Sequence, residues 1–381
     1  MSTMQPLYDK ANSINAWHTL ADAGDRVRAR LHRLLGRLRA DPAPSPRRLL
    51  VLSACQDALG ANPHPVFPLR PHVMEEIDRI GVGELERYLY YRYCYEVFPR
   101  EHRVDPFPPC LQIEPTSVCN LRCLFCYQVD PALSAREGGQ RGFMAMDTFK
   151  RVVDQAAGQL ESISLASRGE PLLHKAFPAM LAYLAGKFLA VKVNTNATAL
   201  TEALCHVLLS SGVQTLVFSA DSHDPDVYAR LRVNGRFDRV LDNIRRFREI
   251  QQRHYPQSRL ITRISGVKFG KEQDFEAMER FWGEWVDQVA LVECNPWVNL
   301  YQAPANGVIV PCSDLWRRAF VWWDGRVNPC DVDYCSTMAL GNILQTPLSE
   351  LWTGPDYERL RARHLRGERQ EMAVCRACSV S

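Results

Sequence analysis

The chain has 381 residues, 46% hydrophobic and 23% charged, a balance that suits a globular protein with one large core or two smaller ones. A formal net charge of +3 is small for this length, so composition argues against a nucleic-acid binder and against a strong field for steering acidic substrates. The segment "MSTMQPLYDKANS" lacks the apolar stretch of a signal peptide and no run is long enough to span a bilayer, so a cytoplasmic protein with no membrane partner is expected.

Residues 1–105 read as a helical extension. Within it, "DRVRARLHRLLGRLRA" (25–40) places Leu31, Leu34, Leu35 and Leu38 on one helical face, "DPAPSPRR" (41–48) is a break, and "ELERYLYYRYCYEVF" (84–98) is a second helix. From residue 106 to about 300 the pattern changes to short β-branched runs alternating with helices, the signature of βα units around a parallel sheet. Strands are predicted at 111–115, 162–167, 190–195, 215–220, 260–267 and 288–293. Six such units make an α/β fold, a partial (β/α)6 TIM-like barrel or a large open sheet, with ligands expected at the carboxyl ends of the strands. The last segment, 301–381, loses the alternation and reads as a short hairpin followed by helices, a small C-terminal module.

Thirteen cysteines in a chain with no export signal point to metal rather than to disulfides. Cys55, Cys94, Cys110, Cys205 and Cys294 stand alone and read as small buried side chains. The others fall in two groups. In "EPTSVCNLRCLFCYQ" (114–128), Cys119, Cys123 and Cys126 have the spacing C-x3-C-x2-C. A closed zinc site wants four ligands, whereas three thiolates can hold three irons of a 4Fe-4S cube and leave the fourth open. The second group is Cys312, Cys330, Cys375 and Cys378, with Cys335 as a fifth thiol for four places. A zinc ribbon would also accept four such thiolates.

"CNLRCLFC", with Phe125 before its third cysteine, resembles the signature of the radical S-adenosylmethionine superfamily. The resemblance implies that Cys119, Cys123 and Cys126 ligate a 4Fe-4S cluster whose open iron binds S-adenosylmethionine. Reduction by a flavodoxin or ferredoxin-type donor then yields methionine and a 5'-deoxyadenosyl radical. The same resemblance puts Phe125 and Tyr127 among the cofactor-binding residues. "SRGEPLLH" (167–174) is similar to the family's glycine-glycine-glutamate-proline motif, with Gly169 and Glu170 kept and Arg168 in place of the first glycine. At other strand ends it implies cofactor contacts for Asn196, Ser219, Asp221, Arg263 and Ser265; capping or turn roles are the alternative for each.

The spacing C-x12-G-x4-C around Gly325 and the terminal C-x2-C resemble the auxiliary-cluster module called SPASM, in its shortened twitch form. The resemblance implies one auxiliary 4Fe-4S cluster on Cys312, Cys330, Cys375 and Cys378. The set C-x17-C-x44-C-x2-C is similar to that of 2-deoxy-scyllo-inosamine dehydrogenases. A sealed cluster suits electron transfer, so the expected function is oxidation of a small polar substrate, a sugar or aminocyclitol alcohol. Glu293, Asp314 and Tyr301, with Asp331, are the candidate catalytic residues. A peptide maturase, a sugar epimerase using Cys294 or Cys335 as hydrogen donor, and a metal-stabilised binding protein without turnover are the other readings.

Overall fold

A computed structural model describes residues 14–19, 24–60, 65–134, 140–294 and 300–381. Its main sheet is built from β1 (Ile14–Thr19), β2 (Cys110–Ile113), β4 (Ser162–Leu165), β5 (Ala190–Thr195), β6 (Thr215–Ser219), β8 (Ile261–Lys268), β9 (Gln288–Glu293), β10 (Arg318–Val321) and β11 (Val327–Asn328). A two-residue ribbon joins β3 (Arg122–Cys123) to β7 (Arg232–Val233), antiparallel. The nine-stranded sheet runs β1-β9-β8-β6-β5-β4-β2-β10-β11. The six expected strands are all present, mutually parallel, as the partial TIM-like barrel requires.

Both edges hold more than the βα pattern foretold. β10, from the C-terminal segment, pairs parallel with β2 and so extends the barrel wall, and β11 turns back against it as the expected hairpin. At the other edge β1, inside the stretch read as wholly helical, pairs antiparallel with β9. Such long-range pairings leave no local period in the sequence, which is why the reading missed them.

The extension otherwise carries helices at Gly24–Arg39, Pro46–Leu59, Pro71–Arg79 and Leu85–Glu101. The first buries Leu31, Leu34, Leu35 and Leu38, as the periodicity predicts. The proline-rich break ends sooner than expected: Ser45 caps the next helix by accepting from the Arg48 N–H, and Pro46 takes the first-turn position, where its missing N–H costs nothing. These helices share their own core, while the C-terminal segment packs into the same core as the barrel through Trp316, Trp352 and Tyr357.

The extension docks on the amino-terminal ends of the strands. Arg79 donates to the Leu260 carbonyl at 3.0 Å and lies 3.5 Å from Asp287, and Gln288 donates to Glu75. Among the described residues no helix is long and apolar enough to cross a membrane.

Candidate active site

At the carboxyl ends of the strands lies a cavity of about 260 Å³, onto which Cys119, Cys123 and Cys126 all open. The loop after β2 carries these thiols and is braced by the loop after β4. Gly169 is the contact point: a Cβ there would lie 2.2 Å from the Thr116 carbonyl oxygen and 2.7 Å from that of Val118. Only glycine lets the two backbones approach this closely. Ser167, two residues before it, has φ +147°, an unusual value for a residue with a side chain.

Arg168, the departure from the two-glycine motif, does not fill the cavity with its side chain. Its guanidinium pairs with Glu114 at 2.6 Å, both side chains fully buried, and donates to the Tyr334 carbonyl at 2.8 Å. It also lies 4.5 Å from the centre of the Trp322 ring. Arg168 thereby ties the mouth of the barrel to the C-terminal module, while its backbone carbonyl accepts from Gln128.

Glu170 lines the cavity and is held by three donors: Thr195 Oγ1 at 2.7 Å, the Asn196 N–H at 2.7 Å and the Leu172 N–H at 3.0 Å. Burial pushes its carboxyl pKa up, and these bonds pull it back. Phe125, Tyr127, Asn196, Ser219 and Ser265 line the same cavity, as do Glu293 and Cys294. Glu293 is exposed and sits 3.8 Å from Lys268 Nζ.

The sulfurs are solvated by N–H groups. Cys119 Sγ accepts from the Leu121 N–H at 3.4 Å and Cys126 Sγ from the Gln128 N–H at 3.5 Å. Arg232 donates to Cys123 Sγ at 3.8 Å. Burial pushes the Cys119 thiol up to about 11 and the Cys126 thiol up to about 12. Left alone these sulfurs keep their protons; a cationic iron centre would make them thiolates. Three such thiols facing open space suit a cluster with one free iron.

Arg232 escaped the sequence reading. It lines the cavity from β7, paired 2.5 Å from Asp221, and nothing in "YARLRVNG" marks it except a turn after a short helix. Asp221 corrects an expectation in turn. It does not line the cavity; its carboxylate accepts from the Val267 N–H at 2.7 Å and holds Arg232, so it positions rather than contacts.

Arg263 also lies elsewhere. Two residues before Ser265 on the same face of β8, it projects toward the opposite end of the barrel and lines a second cavity there. Asp314 sits in the helix Asp314–Arg317 that feeds β10, and because β10 runs parallel to β2 this helix lies at the amino-terminal end of the sheet. Tyr301 is outside the cavity lining too. Its hydroxyl donates to Asp333 at 3.0 Å and accepts from the Cys335 N–H at 2.7 Å. Asp331 is buried in the module and is not part of the lining.

The second thiol group converges around the β10–β11 hairpin. Burial drives the Cys330 thiol well above its usual range, and Cys375, Cys312 and Cys378 are near enough to add to the effect. Cys312, Cys375 and Cys378 are each at most 9% exposed, and none of the four lines the first cavity. Cys330, half-buried, thus stands with three buried thiols in one group, which suits a fully ligated cluster. Cys335 stands apart: its surroundings are Tyr301, Asp130, Asp333 and Arg168 rather than the other thiols. Tyr127, next to Cys126, stacks on Tyr334, next to Cys335, with ring centres 5.4 Å apart and planes 27° from parallel.

Comparison with known proteins agrees with this arrangement. Residues 113–281 match the model of the radical SAM superfamily, and residues 306–379 match an iron-sulfur cluster-binding domain, SPASM. GTP 3',8-cyclase of Desulforamulus reducens is 24% identical over 193 residues, which are 49% of this chain and 57% of that protein; the match thus spans little more than half the relative's length. The crystal structure of BtrN in complex with AdoMet and 2-DOIA has the same fold, with TM-score 0.50 and 19% identity over 72% of this chain and 94% of that one. So does Streptococcus suis SuiB bound to precursor peptide SuiA, at TM-score 0.52 and 18% identity over 74% of this chain and 72% of that one. The thiols that open on the cavity belong to a domain that takes a 4Fe-4S cluster with S-adenosylmethionine, and those by the hairpin to one that takes auxiliary iron-sulfur clusters. This chain accordingly carries a radical S-adenosylmethionine superfamily domain followed by a C-terminal SPASM module.

Proposed function

We propose that this protein oxidises a small polar substrate, a sugar or aminocyclitol alcohol, by two electrons. The observation that carries the reading is the presence of a thiol set open to a cavity together with a separate four-thiol set packed in the C-terminal module. When bound, the cofactors supply a hydrogen-abstracting radical at the cavity and an electron acceptor in the module.

The chain's own residues supply the rest. Cys119, Cys123 and Cys126 would hold the first cluster, and Cys312, Cys330, Cys375 and Cys378 the auxiliary one. The Gly169 backbone, Glu170 and Asn196 would seat the S-adenosylmethionine, and Phe125 and Leu121 present apolar surface that keeps water from the reacting atoms. Glu293, at the cavity edge, would take the proton from the substrate hydroxyl as the carbon is oxidised.

The described part of the extension is four helices and one strand already paired to the barrel, which supports a small molecule over a peptide held by a strand-rich domain. An epimerase is the second reading, because Cys294 lines the cavity and its S–H could return a hydrogen atom to a substrate carbon.

The test is anaerobic purification with iron and sulfide analysis, followed by reaction with dithionite and candidate aminocyclitols. About eight irons per chain, and an oxidised product formed with 5'-deoxyadenosine, support the proposal. Zinc without sulfide, or a product of unchanged oxidation state that Cys294→Ala abolishes, overturns it.

A further inference from the structure

The lumen of this barrel is hollow at its other end. The inner face of a TIM-like barrel is ordinarily filled by layers of bulky branched side chains. Here the lower positions hold Cys110, Ser162, Ala190, Thr215 and Ala290, and the space they leave is a second cavity of about 260 Å³. Its floor is made by the helices Pro71–Arg79 and Leu85–Glu101 of the extension.

The charges around this cavity do not balance. Six cationic side chains line it, Arg70, Arg92, Lys192, Arg263, Arg317 and Arg318, against two carboxylates, Glu76 and Glu96, an excess of four positive charges. The whole chain carries only +3, so the excess is a local construction. Both carboxylates are already engaged: Glu96 with Arg92 at 2.6 Å, and Glu76 with Arg263 at 3.9 Å and with the Tyr88 hydroxyl.

Arg317 has no such partner among the described residues. It is 5% exposed, its Nε lacks a hydrogen-bond acceptor, and its guanidinium lies 5.2 Å from the centre of the Tyr95 ring. The Nε atoms of Arg92 and Arg318 are likewise buried without an acceptor among the described residues. Lys192, on the lumen face of β5, forms no ion pair with any described residue, and burial beside Arg318 and Arg263 lowers its pKa to about 8. From behind the lining Glu75 acts on Arg263, and Asp314 and Asp331 act on Arg318. Lys192 and Arg317 are left without an ion-pair partner among the described residues, and burying such cations is costly unless an anion joins them.

We propose that this cavity binds a phosphate group, as inorganic phosphate or as the phosphate of a small phosphomonoester, clamped between the barrel and the helical extension. A dianion with several acceptor oxygens suits the excess of positive charge and the forked geometry of Arg317 and Arg318 better than a single carboxylate does. The site is separate from the cysteine-lined cavity. The two share only Asn194, Ser265 and Val292 as the layer between them.

The experiment is anaerobic thermal unfolding of the cluster-loaded protein with increasing inorganic phosphate, ribose 5-phosphate, or sodium chloride at matched ionic strength. The proposal expects a saturable rise in melting temperature with phosphate or the ester and none with chloride. A response to both phosphate compounds identifies the free ion as sufficient; a response to the ester alone identifies a phosphomonoester. Lys192→Met and Arg317→Leu should each lose the response, whereas Arg317→Lys keeps part of it.

Should Arg317→Leu fail to fold, Lys192→Met suffices, since removing a cation from among cations relieves repulsion in the ligand-free protein. Phosphate released by denaturing the desalted wild-type protein, but not Lys192→Met, would be an independent sign of the site. Equal melting shifts in wild type and Lys192→Met, or shifts no larger than those with chloride, overturn the proposal.

Discussion

The two thiol groups differ less in chemistry than in what lies beside them. Cys119, Cys123 and Cys126 sit within one short segment that includes the two-residue strand β3, and they face a cavity walled by strand ends. Cys312, Cys330, Cys375 and Cys378 come from segments far apart in the chain and are packed among Trp352, Tyr357 and Val374 in the main core. A local triple can be presented at an opening because one segment fixes all three. A dispersed quartet forms only when its whole module folds, and folding closes it off. Openness and closure therefore follow from how far apart in sequence the ligands are.

Four substitutions test this contrast, beginning with the largest effect. Cys123→Ala removes a thiol from the open set and should reduce 5'-deoxyadenosine formation by more than about a thousandfold, some 4 kcal/mol of barrier. Cleavage that survives would mean that the triple is not the open site. Cys375→Ala should cost about half of the iron and abolish substrate oxidation while uncoupled S-adenosylmethionine cleavage persists, as chromatographic product analysis would show. Loss of both reactions would show that the two sites are not independent.

Arg168→Ala leaves Glu114 buried without its partner and should destabilise the protein by about 3–5 kcal/mol, read as a fall in melting temperature. Since Arg168 joins the mouth of the barrel to the module, oxidation should fall more than cleavage. Cys335→Ala, the smallest change, should leave the iron content as it is. A loss of iron there would place Cys335 in the quartet and break the contrast.

Much of this was legible in the residues. Strands with β-branched runs were placed to within about two residues, because a parallel strand buried on both faces leaves few alternatives. The quartet is what the resemblance to the SPASM module implies, with Cys335 as a fifth thiol; in the structure Cys312, Cys375 and Cys378 neighbour Cys330, and Cys335 has other surroundings. Side-chain direction was less accessible. Arg263 and Ser265 belong to one strand end in the sequence, yet two residues of rise along β8 put them at different levels of the lumen. Asp314, two residues from Cys312, lies at the far end of the barrel because the chain there begins a strand parallel to β2. Arg232 reaches Cys123 only through a two-residue ribbon that no periodicity could announce.

The parallel pairing of β10 with β2 has a practical consequence for anyone dividing the molecule. A cut near residue 300, where the sequence pattern changes, would strip the barrel of its outer stave and leave the whole length of β2 as a bare edge, prone to recruit another chain. Truncated forms should therefore aggregate rather than yield a smaller working enzyme. The same edge offers a use: the two pieces produced in one cell could find each other by strand addition, making the β2–β10 seam a natural place to build a split protein whose chemistry switches on when the halves meet.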